Sequence, residues 1–234
     1  MNHKHKISIV GGGLAGCEAA YQISKLGIQV DLYEMRPKVR TEAHNTELLA
    51  ELVCSNSFRS DDKEYNAVGV LHEELRIADS LIMKSADHNK VPAGSALAVD
   101  RDNFSKEVNK TIKSIPNINI INEEVRSLDE FKNQPVIVST GPLTSKTLTE
   151  SIKIKTSENS LAFYDAIAPI VYEETINMSV AWKQSRYDKG NGDDYINCPF
   201  SKKEYYQFIE KIKKAPKMEF KAVSYTHLTL PTKA

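Results

Sequence analysis

Residues 7–16 read Ile-Ser-Ile-Val-Gly-Gly-Gly-Leu-Ala-Gly, and the fold class turns on them. Ile7 to Val10 is a short apolar run, the mark of a buried strand. It stops at the glycines, and beyond them Ala19, Ile23 and Leu26 recur at spacings of four and three, as on one face of a helix. Gly27 stops that helix. Val30 to Tyr33 is a second strand, ending at Glu34, so the first segment is a βαβ unit. Gly11-x-Gly13-x-x-Gly16 lies between strand and helix, the context in which this spacing serves a dinucleotide. Gly11 allows the tight turn, Gly13 lets backbone approach a pyrophosphate, and Gly16 lets helix and strand pack closely. Gly12, Leu14 and Ala15 complete the loop and first helical turn, whose free N–H groups and positive dipole end suit phosphate. Glu34 comes eighteen residues after Gly16, where a carboxylate can accept from the adenosine ribose hydroxyls. A glycine-rich turn followed by a surface glutamate is the plainer reading, but it leaves four elements in register unexplained.

Outward from this unit, residues 36–58 are polar and irregular around Leu48 to Val53. Leu71, Leu75, Ala78 and Ile82 mark the core face of one long helix. Pro92-Ala93-Gly94 interrupts the chain before a strand at Ala96 to Val99. Phe104, Val108, Ile112 and Ile115 mark another helix, and Asn117 to Ile121 and Val136 to Ser139 are strands. The last of these runs into Thr140-Gly141-Pro142. That string resembles the second strand-to-Thr-Gly signature of flavoproteins with two dinucleotide folds, and it favours FAD over NAD, with Thr140 and Gly141 beside the nucleotide. A strand ending in an ordinary Gly-Pro turn is the alternative. Past residue 150 the texture changes. Ile167 to Tyr172, Ser179 to Trp182 and Tyr195 to Asn197 read as strands, and Ser201 with Glu204 forms a capping box for a helix through Lys213. The expected fold is α/β: an incomplete Rossmann-like FAD-binding parallel sheet over residues 1–150, with a smaller α+β inserted domain over 151–222. Residues 223–234 fit nothing before them and read as an adaptor-like artefact.

Lys+Arg and Asp+Glu both number 31, so net charge gives no support for nucleic-acid binding. The local cluster Lys202, Lys203, Lys211, Lys213, Lys214, Lys217 and Lys221 reads first as a solvated helix face. Three widely spaced cysteines, an odd number without a pairing pattern, argue against a disulfide framework, and no Cys/His cluster suggests a metal. No apolar run is long enough for a membrane span, and the first residues lack the apolar stretch of a signal peptide, so a cytoplasmic location is expected. Cys54 lies in the polar string Cys54-Ser55-Asn56-Ser57 with Arg59 nearby to favour a thiolate. Taken alone, it reads more readily as a small buried hydrophobe, the usual state of a lone cysteine. Cys17 and Cys198 read as structural.

Longer strings are more specific. They are residues 10–17 with Tyr33-Glu34-Met35-Arg36-Pro37; Ala50 to Ser57; Pro92 to Arg101; Phe163 to Pro169; and Ser185-Arg186-Tyr187 leading to Tyr195-Ile196-Asn197-Cys198-Pro199. Together they resemble the FAD- and methylenetetrahydrofolate-dependent tRNA (uracil-5-)-methyltransferases, over residues 5 to 222. The resemblance implies that a one-carbon unit passes from 5,10-methylenetetrahydrofolate to C5 of a T-loop uridine in tRNA, with NAD(P)H supplying reducing equivalents through the flavin. Uracil C5 becomes nucleophilic only after something adds at C6, and a cysteine thiolate is a suitable adding group. Cys54 matches a cysteine that the family uses near the flavin. Arg101, at the end of the Pro92 string, is placed on the flavin side by the resemblance alone. Arg186 and the Lys211 to Lys217 run are the candidates for tRNA phosphates. The chain is about half the family's length, so an N-terminal part is expected; a Gly-Cys-Met-Pro string lying beyond Phe220 in the family is not found. Three other readings stay open: a related flavoprotein modifying wobble uridines, a plain FAD- or NAD-dependent oxidoreductase, and a non-catalytic dinucleotide-binding module.

Overall fold

The computed structural model describes residues 6–41, 43–132, 134–157, 171–185 and 192–216. Strand β1 (Lys6–Val10) leads through the glycine turn into α1 (Leu14–Lys25) and back to β2 (Gln29–Tyr33). There follow β3 (Ser57–Ser60), α2 (Ala67–Ile77), α3 (Leu81–His88), β4 (Lys90–Val91), β5 (Ala96–Val99), α4 (Arg101–Ser114), β6 (Ile118–Ile121), β7 (Val136–Val138) and α5 (Lys146–Thr156). Beyond them lie β8 (Trp182–Lys183), β9 (Ile196–Asn197) and α6 (Lys202–Lys214).

The principal sheet has the order β6-β2-β1-β7, and all its pairings are parallel. The fold is therefore α/β with a parallel sheet, as the glycine-punctuated βαβ reading expects. Because β2 pairs on one side of β1 and β7 on the other, the strand order reverses at β1, and a crevice opens at the carboxyl ends of the strands there. Alternate residues along a strand face opposite ways. Ile9 and Leu32 join the larger core with Cys17 and Ala20 of α1, Met83 of α3, and Phe104, Val108 and Ile112 of α4. Their neighbours Val10 and Tyr33 join a second cluster with Val125, Phe131 and Leu148 on the opposite face. The Tyr33 and Phe131 rings meet edge-on, with centroids 5.4 Å apart. A second sheet, β3-β5-β4, is antiparallel, and β8 and β9 make a small antiparallel pair.

The structure corrects several expectations. The single helix through Leu71 and Ile82 is two helices. Asp79 takes a left-handed backbone (φ 60°), and the Ser80 hydroxyl caps α3 by accepting from the Met83 N–H at 3.1 Å. Leu71 and Ala78 are consequently exposed, while Ile82 is buried. Leu26 is also exposed, because it caps α1 rather than continuing its buried face. Ser179 and Val180 form a turn, so only Trp182 of the expected 179–182 strand is in a strand. The capping box at Ser201 and Glu204 is present and opens α6 as expected. The string 163–169, Arg186, Tyr187, Lys217, Lys221 and residues 223–234 lie outside the described residues, as does most of the expected 167–172 strand.

Candidate functional site

A cleft of about 270 Å³ opens where β1, β2 and β7 end. Gly11, Gly12, Gly13, Leu14, Ala15, Glu34, Thr140 and Gly141 all line it, so eight sequence-predicted residues from three separate strand ends converge. The turn is tight for identifiable reasons. Gly11 has φ +107°, and a Cβ there would lie 2.7 Å from the Ser139 carbonyl oxygen. A Cβ on Gly16 would lie 1.8 Å from the Gly11 carbonyl oxygen, so Gly16 permits the close helix–strand approach rather than lining the cleft. Around Gly13 nothing lies within 4 Å of a would-be Cβ, which leaves open space over the loop. The helix α1 has Gly13 as N-cap, no side-chain cap and no acidic residue in its first turn. Its first backbone N–H groups thus lack helical acceptors and point at the cleft with the positive dipole end. This is the arrangement a pyrophosphate requires.

Glu34 is buried and already engaged. Its Oε1 accepts from the Arg36 backbone N–H at 3.1 Å and from Arg36 Nε at 2.9 Å, while Oε2 accepts from the Gly12 N–H at 3.1 Å. Burial alone would raise the Glu34 pKa, but the hydrogen bonds and charge of Arg36 and the Gly12 N–H outweigh it and hold the carboxyl below its ordinary value. The group is an anionic acceptor, and Oε2 retains capacity for a second donor such as a ribose hydroxyl.

Sequence reasoning gave no role to Arg36, which is among the most buried side chains of the molecule. Besides Glu34, its Nη1 reaches Glu51 Oε2 at 2.9 Å and the Thr46 carbonyl at 3.4 Å. Glu51 in turn accepts from the Thr46 hydroxyl at 2.8 Å and from the Asn45 N–H at 2.8 Å. The acid–Arg–acid triad fixes the loop after β2 against the turn after β1. Arg36 belongs to the Tyr33-to-Pro37 string, but its pairing with a residue fifteen positions away is a tertiary fact with no local signal. Ser139, Thr144 and Ser145 also line the cleft. Ser139 Oγ donates to the carbonyls of Val10 and Gly11 at 3.0 and 3.1 Å, tying β7 to the glycine turn.

The three cysteines separate clearly. Cys17 is fully buried, its Sγ donates to the Gly12 carbonyl at 3.3 Å, and burial with the nearby Glu34 charge pushes its thiol up to about 12. It is a structural thiol, as expected. Cys198 is exposed, so its expected structural role has no core packing behind it. Cys54 is half-buried, one residue beyond Val53 on the cleft wall. Arg101 does not line the cleft. Its guanidinium donates to the carbonyls of Leu52 and Cys54 at 3.3 and 3.1 Å, so it is Arg101, rather than Arg59, that bonds residue 54.

Comparison with known proteins bears on this geometry. The family described as "Glucose inhibited division protein A", GIDA, matches residues 6–228. The chain belongs to the GIDA family. Among curated members of known name, it is 57% identical over 220 residues to a methylenetetrahydrofolate–tRNA-(uracil-5-)-methyltransferase TrmFO of Bartonella henselae, covering 92% of this chain and 47% of that protein. Proteins of the same name from Bradyrhizobium diazoefficiens and Paramagnetospirillum magneticum are 56% and 54% identical, over 94% and 92% of this chain and 47% and 48% of theirs. The chain thus spans about half the length of the curated relatives it matches. The GIDA match covers the glycine turn, the Glu34–Arg36–Glu51 triad and the Cys54 loop alike. No helix among the described residues is long and apolar enough to cross a membrane.

Proposed function

We propose that this chain is the nucleotide-binding half of a flavoenzyme that methylates C5 of a tRNA uridine with methylenetetrahydrofolate as carbon donor. The observation that carries the reading is the 57% identity to a protein of that name over nearly the whole chain, the cleft included. FAD fits the residues present. The uncapped first turn of α1 and the open loop at Gly13 would take the pyrophosphate, Glu34 Oε2 a ribose hydroxyl, and Thr140 and Gly141 the opposite wall. When bound, FAD supplies the redox and one-carbon relay that the transfer requires. NAD(P)H is the proposed source of reducing equivalents, tRNA the substrate, and the cytoplasm the setting. Residues 1–150 form the N-terminal part of the nucleotide domain and 151–222 a part of the inserted one.

Cys54 is the proposed nucleophile. Its thiolate would add at uracil C6, making C5 nucleophilic, and would leave again when the C5 proton is removed. Cys54 is half-buried and next in the chain to Val53 of the cleft wall, whereas Cys17 is fully buried and hard to ionise, which supports Cys54 over Cys17. Two measurements test the reading. Mixed with FAD and desalted, the chain is expected to keep a flavin absorption band. Extended to the length of its relatives, it is expected to move label from methylenetetrahydrofolate to uridine C5 in tRNA, with Cys54→Ser abolishing transfer. Absence of transfer by the extended protein, with flavin bound, would overturn the assignment in favour of another flavin chemistry.

A further inference from the structure

Helix α4 turns a row of three polar side chains, Arg101, Ser105 and Asn109, toward one loop. Spacing by four places them on one helix face. Arg101 donates to the carbonyls of Leu52 and Cys54, Ser105 Oγ donates to the Ala50 carbonyl at 3.2 Å, and Asn109 Oδ1 accepts from the Leu49 N–H at 3.4 Å. Just beyond, Asn56 and Val99 exchange two bonds at 2.9 Å, Asn56 Nδ2 to the Val99 carbonyl and the Val99 N–H to the Asn56 carbonyl. At the other end, the Ala50 N–H donates to the Gly12 carbonyl at 2.8 Å. Ala50 is fully buried with φ +52°, a conformation that an alanine keeps only where its surroundings over-determine it. Segment 49–56 is therefore tied through backbone groups of residues 49, 50, 52, 54 and 56, between the glycine turn on one side and α4 with β5 on the other.

We propose that Arg101 is a positioning residue, and that the row Arg101, Ser105 and Asn109 straps the loop so that Cys54 is held at one place beside the cleft. The inference rests on the reading of Cys54 as nucleophile. A nucleophile misplaced by an ångström loses much of its rate, so a rigid loop is worth having there. The guanidinium is suited to the task because its planar fork grips two carbonyls, of residues 52 and 54, at once; a lysine ammonium is a single point on a flexible stem.

The test is alkylation of the 234-residue chain with iodoacetamide, followed at Cys54 by peptide mass spectrometry, with the exposed Cys198 as internal reference. Arg101→Ala is expected to raise the Cys54-to-Cys198 labelling ratio about fivefold, as for local opening after loss of charged hydrogen bonds. Arg101→Lys should restore part of the slow rate, and Ser105→Ala should shift the ratio less, in the same direction. A ratio unmoved by Arg101→Ala, in a protein that still melts like the parent, overturns the strap. If Arg101→Ala does not fold, Ser105→Ala and Arg101→Lys decide, and an unmoved ratio in both overturns it. The assay needs no flavin, folate or RNA. Failure of methyl transfer therefore leaves this result standing, and failure of the strap leaves the methyltransferase reading standing.

Discussion

The sheet-bearing part, residues 6–156, and the part spanning 171–216 use the same local signals with opposite results. In the first, α1 and α4 bury apolar faces against β1, β2 and β5, and Phe104, Val108 and Ile112 are fully enclosed. In the second, α6 has a capping box and apolar residues at Tyr205, Phe208 and Ile212, yet none of its residues is buried. Phe200 and Phe208 stack at 5.3 Å, but both stay exposed. A phenol, Tyr195 Oη, joins the two parts by donating to the Ala93 carbonyl at 2.9 Å. Local codes write a helix; burial needs partners supplied from far along the chain. Stability and the candidate site should therefore both reside in the first part, and four perturbations test that division.

The largest effect is expected at Gly16. Its missing Cβ would sit 1.8 Å from backbone, which no rotamer change relieves. Gly16→Val should destabilise the chain by about 3 kcal/mol or more, abolish FAD retention, and leave little folded protein by circular dichroism. A variant melting like the parent would show that the close packing of α1 on β1 does not hold the fold.

Next comes Arg36→Met, which keeps volume but removes the charge shared by Glu34 and Glu51. Leaving buried carboxylates without their cation costs about 3–5 kcal/mol, read as a shift in the urea midpoint. A companion Glu34→Gln/Arg36→Met pair should recover part of the loss. No recovery would mean that Arg36 acts mainly through Glu51 and the Thr46 carbonyl.

The pH dependence follows from the same triad. Glu34 has its folded pKa below the ordinary 4.5, so its contribution is fully present above that value and is lost as pH falls through the lower folded value. Asp61 adds to this: burial raises its pKa, but Arg76, His72 and Lys90 more than offset that and lower it. Acid unfolding should begin below about pH 4.5 and steepen downward. Glu34→Gln should flatten that limb. An unchanged limb would assign acid sensitivity to Asp61 and other carboxylates.

How much of this was legible in the sequence depends on the range of the interaction. The βαβ unit, the strand at 96–99, the helix of Phe104 and the capping box at Ser201 are each written within a few residues, and each forms as expected. The convergence of Gly11 to Ala15, Glu34, Thr140 and Gly141 was legible because a parallel sheet brings the carboxyl ends of its strands together. Missed were facts set by distant partners. The break at Asp79 and Ser80 lies within a spacing that would suit one continuous helix. Arg36 gains its role only when Glu51 folds back, and Arg101 turns to the carbonyls of residues 52 and 54 because α4 packs beneath that loop.

The smallest effect is expected in the second part. In its capping box, Ser201 Oγ accepts from the Glu204 N–H at 3.3 Å, and Glu204 Oε2 accepts from the Ser201 N–H at 2.8 Å. Ser201→Ala removes the first bond and should cost the helix about 1 kcal/mol. If α6 is energetically separate from the sheet, that loss appears as faster amide exchange at residues 202–206, with the global melting curve unmoved. If the global midpoint falls as well, α6 is coupled to the core despite its exposed face. The Tyr195–Ala93 contact is then the first place to look, and Tyr195→Phe should uncouple the two parts again.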